Sequence, residues 1–95
     1  MKLQIFSIHD VKAGAYNQPW YQPNQQMAVR AFKNLVQDPT SEISKNPQDF
    51  TLFHVGEYDD NSGEFNSTTP MAIHNGMDLA HILTAANDSN FEQGN

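Results

Sequence analysis

Cysteine is absent from the 95 residues, which excludes a disulfide framework and any thiolate metal site. Lysine and arginine are absent after residue 45. All five cations (Lys2, Lys12, Arg30, Lys33 and Lys45) share the first 45 residues with only Asp10, Asp38 and Glu42, a net of +2, whereas residues 46–95 hold eight acids and a net of −8. The overall −6 therefore conceals a division. Such asymmetry marks one face for a polyanion and another that repels or imitates it, or else a solvated acidic surface that keeps a small protein in solution. Apolar residues are scarce at 38%, and no apolar run approaches the roughly 18 residues of a membrane span. The beginning of the chain lacks the basic-then-apolar pattern of a secretory signal, so a cytoplasmic protein is expected. Enough apolar surface remains for one modest core, and oligomerisation would bury more.

Residues 2–9 (KLQIFSIH) are rich in Ile and Phe. Leu3, Ile5 and Ser7 fall on one side of an extended chain and Phe6 and Ile8 on the other, which predicts a central strand. Residues 10–24 read as a loop punctuated by Gly14, Pro19 and Pro23. A loop of this length is packed down by its own side chains or carries function. It holds Tyr16, Trp20 and Tyr21, which either pin it over the core or stand exposed as platforms for bases. Asn24 is a good N-cap, and Ala28, Ala31, Phe32, Leu35 and Val36 form an apolar stripe at helical spacing. A helix over residues 25–37 follows, closed by Asp38-Pro39 because proline cannot donate its amide.

Residues 40–48 read as a polar connection, and residues 50–58 (FTLFHVGEY) as a second long strand. The run from Asp59 to Gly63 is a dense turn signal, after which residues 64–69 return antiparallel. Pro70 interrupts the pattern, and residues 71–74 suggest a further short strand ended by Asn75-Gly76. Residues 78–83 suit a short helix or arm. The expected domain is residues 1–83, with residues 84–95 as a polar, flexible tail.

Most catalytic and metal readings fail on spacing. Asp59, Asn61 and Gly63 alternate like a calcium loop, but an EF-hand needs Gly sixth and Glu twelfth, where this chain has Glu64 and Pro70. His9, His54, His74 and His81 show no recognised ligand spacing. There is neither a nucleophile elbow nor a Gly-rich phosphate loop. No enzyme, metal or cofactor is expected. Nucleic-acid binding has a stronger case, since single-strand binders pair phosphate-tracking cations with rings that stack bases. Lys12, Tyr16, Trp20, Tyr21, Arg30 and Lys33 lie within 22 residues.

Two further stretches carry a resemblance. The first comprises residues 10–16 (DVKAGAY), Pro19-Trp20-Tyr21 and Ala28-Val29-Arg30-Ala31-Phe32. The second is residues 46–53 (NPQDFTLF) followed by Val55-Gly56-Glu57-Tyr58-Asp59-Asp60. Together they resemble the small non-structural protein of gokushoviruses, single-stranded DNA phages of the microvirus family. The resemblance spans roughly residues 1–83 and implies a DNA-binding role in single-stranded genome synthesis or packaging, in the cytoplasm of the host bacterium. It brings no catalytic residues.

The sequence thus leads to an α+β domain, a small, mainly antiparallel sheet with one principal helix packed on one face. The expected function is a non-enzymatic accessory protein that binds single-stranded DNA through Lys12, Tyr16, Trp20, Tyr21, Arg30 and Lys33, and a homodimer would place two such sites together. The alternative is an interaction module for a viral replication or capsid protein or a host protein, with the acidic half as contact surface or DNA mimic.

Overall fold

A computed structural model describes residues 1–80 of the chain. The expected tail at residues 84–95, the end of the segment 78–83, and His81 lie outside the described residues. The rest is an α+β domain. Strand β1 (Lys2–Asp10) is central, as the apolar residues on both its faces predict. Strands β2 (Ala15–Tyr16) and β3 (Trp20–Gln22) pair with one of its edges, and β4 (Phe50–Asp59) pairs with the other. Strand β5 (Glu64–Asn75) lies outside β4, and every pairing is antiparallel.

A strand–helix–strand order is compatible with a parallel pairing of the two long strands. The structure makes them antiparallel neighbours, in register from Lys2↔Asp59 to Asp10↔Phe50. The predicted loop at residues 10–24 is also more ordered than its prolines suggest, because it returns twice to β1. Asn17 donates its amide to the Ile8 carbonyl at 2.9 Å, and the Ser7 hydroxyl donates to the Asn17 carbonyl at 2.7 Å.

Helix α1 (Gln25–Gln37) occupies its predicted span. Asn24 caps it by accepting the Met27 amide at 2.9 Å, and the Asp38 amide closes it on the Asn34 carbonyl. Asn24→Ala is expected to cost about 1 kcal/mol, read as a lower urea midpoint at unchanged slope. The buried stripe is narrower than predicted. Ala28, Phe32 and Val36 face the sheet, while Leu35 is exposed and Val29 takes a place at the edge of the core.

The core joins this stripe to Phe6 and Ile8 of β1, Leu52 of β4, Ile43 of the short helix α2 (Glu42–Lys45), and Leu79. Each such side chain contributes about 1.5–3 kcal/mol when fully buried. The connection at residues 40–48 is therefore not featureless: α2 and a 3-10 turn (Pro47–Asp49) carry it over the sheet end. Residues 76–80 are helical. A Cβ on Gly76 would stand 2.5 Å from the Pro47 carbonyl oxygen, so glycine lets this helix start touch the 3-10 turn.

The second hairpin turns at Gly63 with φ +76°. Asp59 accepts the Asn61 amide at 2.9 Å, which holds its carboxyl below the usual carboxylate range. The return is one long strand, not the two pieces read from Pro70. An edge strand tolerates proline where no ladder bond is needed, and between the pairs Gly56↔Ser67 and His54↔Met71 the register shifts, leaving residues 68–70 opposite Val55 alone. Val55 is also the extra residue in the β1–β4 ladder, between Ile5↔Gly56 and Phe6↔His54.

Candidate nucleic-acid interface

Strand alternation divides the sheet into two chemically different faces. The helix side carries Phe6, Ile8 and Leu52, and toward the hairpin end it continues as Lys2, Gln4, Glu57 and Asp59. There Lys2 lies 3.7 Å from Glu57, and Gln4 joins the ring of His54 at 2.8 Å. Among the described residues, no helix packs on the opposite face. Registers place Leu3, Ile5, Ser7 and His9 of β1 there, with Tyr16, Tyr21, Thr51, Phe53, Gly56, Tyr58, Phe65 and Ser67. No Lys, Arg, Asp or Glu is among them.

The rings of this open face fall into two triads. At one end His9 and Tyr16 have centroids 4.7 Å apart, and Phe53 stands 5.2 Å from Tyr16 and 6.1 Å from His9, all edge-on. At the other end Tyr58 lies 5.8 Å from Tyr21 and 4.7 Å from Phe65. Edge-on and tilted pairs at these distances are the favourable aromatic arrangements. His9 and Ile5, which mark the two triads along β1, are four residues apart, or roughly 14 Å. Tyr16, Tyr21 and Phe65 remain 46%, 45% and 65% exposed, so each triad packs against itself and still presents ring surface to solvent. Beneath the β1–β2 turn, beside Tyr16, a cavity of about 220 Å³ is lined by Asp10, Ala13, Asn17 and Phe50 among others.

The six residues expected to form one site are distributed over both sides of the sheet. Tyr16 and Tyr21 lie on the open face. Trp20, paired with Phe6, lies on the helix side, half-buried against the core with its ring 6.2 Å from that of Phe6. Arg30 and Lys33 belong to α1, beyond the sheet from Tyr16 and Tyr21. Lys12 sits in the β1–β2 turn at one end of the sheet, 3.5 Å from Asp49 and largely exposed. Sequence reasoning missed His9, Phe53, Tyr58 and Phe65 as partners of Tyr16 and Tyr21.

Among the described residues, no group of three or more His, Cys, Asp or Glu is placed to hold a metal ion. No helix among them is long and apolar enough to cross a membrane. A family model described as "Phage ORF5 protein" matches residues 3–79. No curated protein and no solved structure matches the chain.

Proposed function

The chain belongs to the Phage ORF5 protein family, and on that premise we propose that it is a non-enzymatic accessory protein that binds single-stranded DNA through the open face of its sheet. The setting is genome synthesis or packaging in a phage of the gokushovirus kind, inside the host bacterium. The observation that carries the reading is the uncharged sheet face with its two ring triads. Bases stack on exposed rings irrespective of sequence, with about 1–3 kcal/mol per base, and antiparallel sheets with rings on an open face are one of the common ways of holding single strands. Tyr16, Tyr21 and Phe65 supply the exposed surfaces, while His9, Phe53 and Tyr58 brace them. Lys12 is placed to meet a phosphate at the end of the path.

This mode has an unusual salt signature. Each phosphate contact adds about −0.7 to the slope of log K against log salt for a single strand. A face whose nearby cation is Lys12 predicts a slope of about −0.7, far shallower than for a binder that tracks phosphates. The test is the anisotropy of a labelled oligothymidylate titrated with the full chain at several salt concentrations. Saturable binding with a shallow slope is expected, and duplex DNA should bind poorly because its bases are already stacked. Absence of binding at low salt would refute the reading.

The same neutrality favours, as a second reading, an apolar surface of a viral or host protein. In that case the titration fails while replacement of the open-face rings still abolishes partner capture.

A further inference from the structure

Among the described residues, strand β5 has a neighbour on one side only. It is the outer strand, and residues 64–72 are exposed. Natural proteins blunt such edges with lysine, proline, a bulge, an inward charge or sheer brevity. Residues 64–68 (Glu64, Phe65, Asn66, Ser67 and Thr68) contain neither lysine nor proline. Their register with β4 is unbroken from Asp59↔Glu64 to Gly56↔Ser67. The irregularity opposite Val55 begins only at Thr68, and Pro70 follows it. Phe65 points to the same edge. The rings it touches, Tyr58 and Tyr21, both lie inward of it in the sheet, and it is still 65% exposed.

Charge and symmetry narrow the occupant. An antiparallel edge is complementary to its own copy under a two-fold axis. Glu64 is the only charged residue of the segment, and an axis at Asn66 sets it opposite Thr68 of the partner subunit, so no like charges meet in the ladder. We infer that a second copy of this chain pairs antiparallel along residues 64–68 about a two-fold axis at Asn66. An axis perpendicular to the sheet keeps both open faces on one side. Phe65 then stands opposite Ser67 of the partner subunit, and the two Tyr21–Tyr58–Phe65 triads join into one platform of six rings. The pairing stands on the edge alone, whereas use of the platform by single-stranded DNA rests on the proposed function.

Five residues from each copy bury less than the roughly 1,200 Å² of a standard interface, so association without DNA is concentration-dependent. Two chains of net charge −6 repel, and salt that screens them strengthens the pairing. A strand long enough to cross both platforms tightens it by effective concentration.

The chain has no cysteine, so one introduced thiol reports on one position. Paired Cα atoms at the axis are about 4.5–5.5 Å apart, inside the range of about 4.4–6.8 Å that a disulfide spans. Full-length Asn66→Cys is expected to form a disulfide-linked dimer under mild oxidation at least about tenfold faster than Asn61→Cys in the hairpin turn, which gauges random collision. Thr68→Pro removes no ladder bond to β4, because Thr68 has no partner there, and should weaken wild-type self-association in sedimentation about tenfold or more. Equal oxidation rates for the two cysteine variants would overturn the pairing, as would a wild-type chain that stays monomeric up to millimolar concentration. Dimers that ignore DNA would refute the proposed function and leave the pairing intact, and DNA binding by a strict monomer would do the reverse.

Discussion

Replacing Tyr21 and Phe65 together by alanine is expected to weaken single-stranded DNA binding by about thirtyfold or more while the fold survives. Each stacked base is worth about 1–3 kcal/mol, and about 1.4 kcal/mol is a factor of ten, so the loss of two platforms removes at least 2 kcal/mol. Both rings are substantially exposed. Their removal forfeits the ring contacts to Tyr58 and the one between Tyr21 and Phe65 themselves, worth about 0.2–1 kcal/mol each. Tyr21→Phe keeps the stacking surface and should bind like the wild type. The charge-reversed pair Arg30→Glu and Lys33→Glu lies on the helix side of the sheet and should change affinity only a few-fold, through the long-range field. The anisotropy titration separates these outcomes. If the helix reversal abolishes binding and the ring replacements do not, DNA runs along α1 and the open face has another use.

The second large effect is on stability. Asn75→Asp is expected to cost about 3 kcal/mol. The Asn75 side-chain amide donates to the carbonyls of Gln48 and Phe50, each at 3.2 Å, and to the Thr51 hydroxyl at 3.0 Å. Its oxygen accepts the Met77 amide at 2.9 Å. One side chain thus ties the 3-10 turn, the start of β4 and the helix at residues 76–80 together. A carboxylate keeps the last bond but presents lone pairs to two carbonyl oxygens that then lack donors, and each loss of this kind costs about 1–3 kcal/mol in a buried setting. Half-exposure of the site moderates the total. Urea unfolding should show a lowered midpoint with an unchanged slope. The new carboxyl faces acceptors, so folding raises its pKa above the unfolded value near 3.9. Its penalty is therefore full at neutral pH and shrinks as pH falls through that raised pKa. A penalty indifferent to acid would mean that the carboxylate has swung into solvent.

Much of the fold was legible because its signals were local. Asn24, the stripe at Ala28, Phe32 and Val36, and Pro39 delimit α1 without reference to the rest of the chain. The turn from Asp59 to Gly63 likewise announces its hairpin. What could not be read depends on pairing. The loop at residues 10–24 carries prolines that suppress regular patterns, yet β1 recruits Ala15–Tyr16 and Trp20–Gln22 as edge strands. Pro70 looks like a boundary until β5 is known to be an edge.

The candidate site illustrates the limit best. Phe53 and Tyr58 are five residues apart, and in a regular strand an odd spacing sends them to opposite faces. The extra residue at Val55 reverses the alternation and brings both to the open face. Strict alternation does separate Trp20 from Tyr21, but only once residues 20–22 are known to be a strand. Proximity in sequence had joined Arg30 and Lys33 to the rings, while the sheet divides them.

The opposite border of the sheet bears on polymerisation. It consists of a two-residue and a three-residue strand parted by residues 17–19, and Pro19 offers no amide there. A cross-β fibre needs a template on both sides of every subunit, so that each added chain exposes a fresh one. Under the inferred pairing the regular part of the free strand, residues 64–68, is occupied when two copies meet about a two-fold axis, and the fragmented border gives an incoming strand no continuous row of hydrogen-bonding groups. Growth by strand addition therefore terminates after one step. A small chain with an exposed aromatic surface can in this way accumulate to high concentration without seeding fibrils.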